Sequence, residues 1–110
     1  MVEKIQNEKI FNWGVATSSY QIEGAHDTDG RGPSVWDVFS HTKGRVKNGD
    51  TGDIACDHYN KFSDDIKLMK DLGVDSYRFS VSWPRIFPIG TEQKINQKGC
   101  LLYTSDAADE

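Results

Sequence analysis

Residues 76–83 of the chain read SYRFSVSW. Bulky and polar side chains alternate along it, which is typical of a β-strand because successive side chains of a strand point to opposite faces of a sheet. The bulky positions are Tyr77, Phe79, Val81 and Trp83, and the polar positions are Arg78, Ser80 and Ser82. The pattern therefore predicts a strand that carries an arginine on the face opposite its aromatic side chains.

An amphipathic helix is predicted immediately before this strand. Apolar residues recur there at intervals of three and four, as they do on one face of a helix. The recurring positions are Tyr59, Phe62, Ile66, Met69 and Leu72. Asp53 is the expected N-cap and Gly73 the expected C-cap, so the helix leads directly into the strand.

Another strand is predicted near the start of the chain, where Phe11, Trp13 and Val15 alternate with smaller side chains. A strand, a long crossover that contains a helix and a second strand make up the βαβ unit, whose two strands usually lie parallel and adjacent. One face of each strand in such a unit packs on helices. The bulky face of SYRFSVSW is therefore expected to contact helices, and Arg78 to point the opposite way.

The connection that follows the first strand is long. Residues 26–34 are rich in turn-forming types, and Ser34 is placed to cap a short helix over residues 35–39. Residues 40–52 then return to loop. The segment from Asp27 to Gly30 lacks the full acidic ligand set of a calcium loop, so it is interpreted as a turn. Long ordered loops tend to carry function.

Composition and charge exclude several classes of partner. The 110 residues carry a formal net charge of −4, and their lysines and arginines are scattered. Neither nucleic acid nor an anionic membrane is therefore an expected partner. No apolar run has the length of a signal-peptide core or a membrane span, and two cysteines are too few for a disulfide framework. A cytoplasmic protein is expected, with Cys56 as a buried, inert thiol and no metal site.

Three strings carry a family likeness. They are FNWGVATSSYQIEGA (residues 11–25), DGRGPSVWDVF (29–39) and TGDIACDHYNKFSDDIKLMKDLGVDSYRFSVSWPRIFP (51–88). In this order they resemble glycoside hydrolase family 1, the β-glucosidase family, over about residues 8–99. The family fold is a (β/α)8 TIM barrel. The resemblance implies that residues 11–20 form strand one, 54–72 helix one and 76–83 strand two. The expected α/β fold is thus the incomplete N-terminal portion of that barrel.

The resemblance also assigns roles to individual residues. Arg78 matches the family's strand-two arginine, which implies that it projects toward the carboxylate of the catalytic nucleophile, although pairing with another buried acid is an alternative. Gln21 matches the glutamine that hydrogen-bonds sugar hydroxyls, for which an amide suits because it both donates and accepts. Glu23 matches a glutamate that is not one of the two catalytic carboxylates, and it is interpreted as structural. Core packing is expected for Trp13, Trp36 and Trp83.

The activity implied by the resemblance is retaining hydrolysis of small β-glucosides by two glutamates, without a cofactor. The family's catalytic glutamates lie in Asn-Glu-Pro-like and Glu-Asn-Gly-like strings, which do not occur in these 110 residues. No catalytic residue is therefore expected in this chain, and the fragment is expected to be inactive alone. One alternative is a fragment of a 6-phospho-β-glucosidase, which Ser19, Tyr20 and Pro84 disfavour. The other is a non-catalytic sugar-binding half-barrel.

The last residues depart from the family pattern. The string CLLYTSDAADE, residues 100–110, resembles translated sequencing-adapter sequence. The resulting domain division is residues 1–99 as part of a family 1 barrel and residues 100–110 as a non-native tail. A natural acidic tail is the alternative.

Overall fold

The computed structural model describes residues 11–91 and 94–108, with side chains described as far as Ser105 in the last helix. Two short strands and five helices occur in these ranges, together with two single 3-10 turns. They are β1 (Gly14–Ala16), α1 (Ser19–Ile22), α2 (Val35–His41), α3 (His58–Leu72), β2 (Ser76–Arg78), α4 (Trp83–Ile86) and α5 (Gln97–Ala108), with the 3-10 turns at Thr28–Gly30 and Lys47–Gly49.

The two strands form a parallel pair. Gly14 lies opposite Ser76, and Ala16 lies opposite Arg78. A Cβ atom on Gly14 would lie 2.3 Å from the Ser76 Oγ atom, so the glycine allows the close approach of the strands. Since α3 lies between the strands in sequence, the predicted βαβ unit is present.

Both strands are shorter than predicted. The strand expected over residues 11–20 covers only Gly14–Ala16, and the strand expected over 76–83 ends at Arg78. Each is followed by a four-residue helix, α1 or α4. The prediction of a strand through Trp83 was wrong, because Pro84 follows and proline is favoured in the first turn of a helix.

Helix α3 begins later than predicted. Its N-cap is Asp57, in the left-handed conformation with φ 56°, and not Asp53. The residues before it form a turn in which the Asp57 amide donates to the Ile54 carbonyl at 2.8 Å. Cys56 lies in this turn and is exposed, so its predicted burial was wrong. The predicted C-cap is confirmed, since Gly73 adopts a left-handed conformation with φ 74°.

The predicted cap of α2 is confirmed. The Ser34 Oγ atom accepts a hydrogen bond from the Asp37 amide at 3.2 Å, and the Asp37 carboxylate accepts one from the Ser34 amide at 2.7 Å. This reciprocal pair is a capping box, which satisfies two backbone donors at the start of the helix. The helix runs to His41, two residues beyond the predicted end at residue 39.

Helix α5 supplies most of the small core. Among the described residues, the buried apolar side chains are Ile66, Leu102 and Tyr103. The Phe79 ring stacks on the Tyr103 ring with centroids 6.3 Å apart, so this member of the bulky set in SYRFSVSW packs on a helix as predicted, although it lies just beyond the end of β2. The division at residue 99 stays a prediction, although α5 crosses it. None of the helices in the described ranges has both the length and the apolar character needed to cross a bilayer.

The three tryptophans do not lie in the core of this chain. Their exposed fractions are 69% for Trp13, 57% for Trp36 and 59% for Trp83. The expectation of core packing was therefore wrong for the chain as it stands. Each ring contacts an aromatic neighbour, but no second layer covers that surface within the described residues.

Candidate functional site

Gln21 and Arg78, the two residues predicted to serve the sugar site, lie at the same end of the strand pair. Arg78 is the last residue of β2, and Gln21 lies in α1, just beyond the end of β1. The Thr17 amide donates to the Arg78 carbonyl at 2.8 Å, and the Ser19 amide donates to the Ser80 Oγ atom at 2.8 Å. These bonds fix the segment that carries Gln21 against the segment that carries Arg78.

Both side chains are exposed. This end is the carboxyl end of a parallel strand pair, which is where β/α barrels hold their active sites. The structure therefore places the two residues at the same end of the strand pair. Their contacts with a sugar and with a nucleophile stay predictions.

A buried ion pair connects the end of α1 to α4, the helix that follows β2. Arg85 of α4 is 1% exposed and Glu23 is 4% exposed. The Arg85 Nε atom donates to the Glu23 Oε1 atom at 3.0 Å, and the Nη2 atom donates to the Gly24 carbonyl at 3.0 Å. The guanidinium also lies over the Tyr59 ring, 4.3 Å from its centroid. The pair thus ties the turn after α1 to both α3 and α4.

Tyr103 completes the surroundings of Glu23. Its hydroxyl donates to the Glu23 Oε2 atom at 2.5 Å and accepts a hydrogen bond from the Ser82 amide at 2.8 Å. Burial raises the pKa of the Glu23 carboxyl, while the Tyr103 hydrogen bond and the charge of Arg85 act against that rise. Both carboxylate oxygens of Glu23 are engaged in fixed hydrogen bonds, which supports the interpretation of Glu23 as a structural residue.

Sequence reasoning missed Arg85. The signal was a single arginine inside the otherwise apolar string WPRIFP, at the end of a predicted strand. An arginine among apolar neighbours is rarely left buried without an acidic partner. Its partner, Glu23, lies 62 positions away in sequence, so only the fold reveals the pair.

A second buried pair orders the long connection between β1 and α3. The Arg31 Nη1 atom donates to the Asp37 Oδ2 atom at 2.7 Å, and both side chains are nearly inaccessible to solvent. The same Nη1 atom donates to the His26 carbonyl at 2.8 Å. Burial acts to raise the pKa of Asp37, but hydrogen bonds from Ser34 and Arg31 prevail and lower it. The N-terminus of α2 is thereby fixed to the turn that precedes it.

Tyr59 links α3 to the turn at Thr28–Gly30. Its hydroxyl donates to the Asp29 Oδ2 atom at 2.5 Å. Burial and this hydrogen bond raise the pKa of Tyr59 to about 12, so the phenol stays protonated at neutral pH. The Asn96 amide donates to the Asp29 carbonyl at 2.8 Å. The segment from Asp27 to Gly30 contains a 3-10 turn, in line with its interpretation as a turn, and Asp29 connects this turn to Tyr59 and Asn96.

Three further side chains of the connection could hold a metal ion. Donor atoms of His26, His41 and Asp53 all lie within 4.8 Å of one another. The His41 Nε2 atom is 2.7 Å from the Asp53 Oδ1 atom, and the His26 Nδ1 atom is 3.8 Å from the same oxygen. Sequence reasoning did not find this cluster, because its members are too widely spaced to form a motif.

The comparisons with known proteins agree with the fold. The profile of Glycosyl hydrolase family 1 matches residues 4–108. Beta-glucosidase A of Acetivibrio thermocellus is 59% identical over 102 residues, which are 93% of this chain and 22% of that protein. Aryl-phospho-beta-D-glucosidase BglC of Bacillus subtilis is 53% identical over 97 residues, which are 88% of this chain and 20% of that protein.

A solved structure gives the same assignment. The family 1 β-glucosidase from Thermotoga maritima matches with a TM-score of 0.86 and 57% identity, over 93% of this chain and 23% of that one. A structure of that enzyme in complex with castanospermine matches equally well. The chain thus spans about a fifth of the length of its curated relatives. The predicted fold class, part of an incomplete β/α barrel, is confirmed. With a profile match along nearly the whole chain and the same strand-helix-strand arrangement, this protein belongs to glycosyl hydrolase family 1.

Proposed function

We propose that the chain is part of a retaining β-glucosidase, which hydrolyses small β-glucosides in carbohydrate metabolism without a catalytic cofactor. The observation that carries the proposal is the position of Gln21 and Arg78 together at the carboxyl end of the β1–β2 pair. Two of the relatives named above, Beta-glucosidase A and the Thermotoga maritima enzyme, are β-glucosidases, which supports the reaction class.

In a retaining glycosidase one carboxyl group acts first as acid and then as base, and a second one about 5–5.5 Å away attacks the anomeric carbon. These 110 residues supply neither group, so their contribution is positioning. A guanidinium at Arg78 would hold the nucleophile ionised and aimed, because a charged donor favours the anionic form of a carboxylate.

Gln21 would contact the sugar itself. Its amide can donate to one hydroxyl and accept from the next, which suits the vicinal hydroxyls of a pyranose. The Glu23–Arg85 pair lies immediately after α1 and fixes the end of the segment that carries Gln21. This support restricts the motion of the glutamine, which favours a defined contact with substrate.

A 6-phospho-β-glucosidase is the second candidate. The 53% identity with the aryl-phospho-β-D-glucosidase shows that this segment of the family scaffold is shared by both substrate classes. The higher identity of 59% with Beta-glucosidase A favours the unphosphorylated substrate. A cytoplasmic location stays a proposal that rests on the composition of the chain.

A chimaeric enzyme tests the proposal. Residues 11–88 would replace the matching segment of the Thermotoga maritima β-glucosidase, and turnover of a chromogenic aryl β-glucoside would be compared with turnover of its 6-phosphorylated form. We expect activity on the free glucoside close to that of the parent enzyme. A folded chimaera that is inactive, or one that prefers the phosphorylated substrate, would contradict the proposal.

A further inference from the structure

The connection between β1 and α3 gathers two imidazoles and a carboxylate at one surface point. His26 follows the α1 turn, His41 is the last residue of α2, and Asp53 precedes the turn that leads into α3. We propose that His26, His41 and Asp53 form a binding site for a divalent transition metal ion, and that Zn²⁺ is the ion that fits best. The inference does not depend on the proposed glucosidase activity.

The donor set determines the class of ion. Imidazole nitrogen and carboxylate oxygen are ligands of intermediate softness, and two imidazoles with one carboxylate are a frequent zinc ligand set. Calcium and magnesium are disfavoured because they prefer sites built from oxygen alone. A free position for water remains, because the three side chains are between 31% and 40% exposed.

The distances fit a tetrahedral ion after small side-chain movements. With metal–ligand bonds of about 2.0–2.1 Å, neighbouring ligand atoms lie roughly 3.3–3.4 Å apart. The separations of 2.7 Å from His41 Nε2 to Asp53 Oδ1 and of 3.8 Å from His26 Nδ1 to the same atom bracket that value.

The backbone that carries the three ligands is fixed by contacts outside the cluster. The Arg31 guanidinium, itself paired with buried Asp37, holds the His26 carbonyl at 2.8 Å. The Tyr20 hydroxyl lies 2.6 Å from the Ser40 Oγ atom, next to His41 in sequence, and accepts from the Gly52 amide at 2.8 Å. Such supporting contacts restrict ligand motion and favour binding.

A bound ion would clamp three parts of the connection to one another. Binding would weaken as the pH falls, because a protonated imidazole cannot ligate a metal. The competing interpretation is a set of surface histidine–aspartate contacts with no affinity for metal. That interpretation predicts no saturable binding.

Calorimetric titration of the tag-free 110-residue chain with Zn²⁺ distinguishes the two. Cys56→Ser and Cys100→Ser would first remove the thiols, which could bind zinc themselves. We expect one Zn²⁺ per chain, and a loss of affinity of at least about tenfold for His41→Gln and for Asp53→Asn, since even outer-shell substitutions cost about 10–100-fold. Asp64→Asn, an exposed carboxylate on α3, is the matched control and should bind as the parent does.

Two results would overturn the inference. One is the absence of saturable binding at neutral pH, and the other is binding that survives the double substitution His26→Gln and His41→Gln. If the isolated chain does not fold, the inference is tested with the same variants in the chimaera with the Thermotoga maritima enzyme. There, Co²⁺ in place of Zn²⁺ should give the visible absorption of a tetrahedral site, and the double variant should lack it.

Discussion

At the scale of single residues, the arginines Arg85 and Arg78 differ in burial. Arg85 is almost inaccessible and has carboxylate, carbonyl and aromatic partners, whereas Arg78 is exposed at the carboxyl end of the sheet. Desolvating a guanidinium is costly, so Arg85 is tolerated only because its donors are satisfied. The two arginines should therefore respond very differently to substitution.

Arg85→Ala should lower the free energy of unfolding by about 3–5 kcal/mol, because it leaves Glu23 buried without its cation. Urea denaturation of the chimaera measures this. Lys67→Ala, at an exposed position on α3, is the control and should change stability little. Adding Glu23→Gln to Arg85→Ala should recover part of the loss. A single variant as stable as the parent would show that the pair contributes nothing.

Arg78→Lys should lower kcat of the chimaera much more than it changes KM, because lysine lacks the planar fork that aims a carboxylate. Steady-state kinetics on an aryl β-glucoside are the measurement. Arg45→Lys in the exposed loop provides a control for the loss of a guanidinium elsewhere. Normal turnover in the Arg78 variant would refute the positioning role.

At the scale of elements, α2 is the clearest case of local chemistry that determines structure. Ser34 and Asp37 form the capping box, and Arg31 adds a charged donor to the same carboxylate. These interactions favour the ionised form of Asp37 and lower its pKa. The stability of this helix start is therefore coupled to pH.

The contribution of Asp37 should be present in full above its ordinary pKa of 3.8 and should be lost as the pH falls through the lower pKa of the folded state. Asp37→Asn should remove that dependence and make the protein less stable at neutral pH. Thermal melts between acidic and neutral pH, with exposed Asp71→Asn as the control, measure the difference. Equal slopes against pH for the parent and the Asp37 variant would contradict the assignment.

The elements that the sequence predicted well are those with local signals. The Ser34 cap, the Gly73 cap and the apolar periodicity of α3 each depend on residues that are close in sequence. The local sequence pattern is therefore enough to predict them. The early start given to α3 was wrong, because Asp53 and Asp57 are equally good capping residues by type. The contacts of Arg85 and the histidine cluster depend on residues far apart in sequence, which local patterns do not reveal. Gln21 and Arg78 were found only through the resemblance.

At the scale of the whole molecule, more large apolar side chains are exposed than buried among the described residues. Large apolar side chains with exposed fractions of 57% or more include Trp13, Val35, Trp36, Leu68, Leu72 and Trp83. Exposed apolar surface of this extent marks a face that packs against other protein. The open edges of a two-stranded sheet add unpaired backbone groups. Both features suit a segment whose surface the rest of a family 1 barrel would cover.

The isolated chain should therefore bind the dye ANS strongly and self-associate, whereas the chimaera should do neither. Fluorescence titration and sedimentation velocity measure the two properties. A monomeric chain that melts cooperatively and is stabilised by glucose would instead favour the sugar-binding half-barrel.

The hydrogen bond from Tyr103 to Glu23 also has a consequence for biosynthesis. The two residues are 80 positions apart, so the carboxylate is synthesised long before its phenolic partner. At translation rates of about 5–20 residues per second, the interval is roughly 4–16 s. Arg85 is 62 positions from Glu23 and emerges from the ribosome before Tyr103, so Glu23 has neither partner until Arg85 has emerged. The first half of the segment is therefore exposed to chaperones and proteases before its last helix has been synthesised and can pack against it.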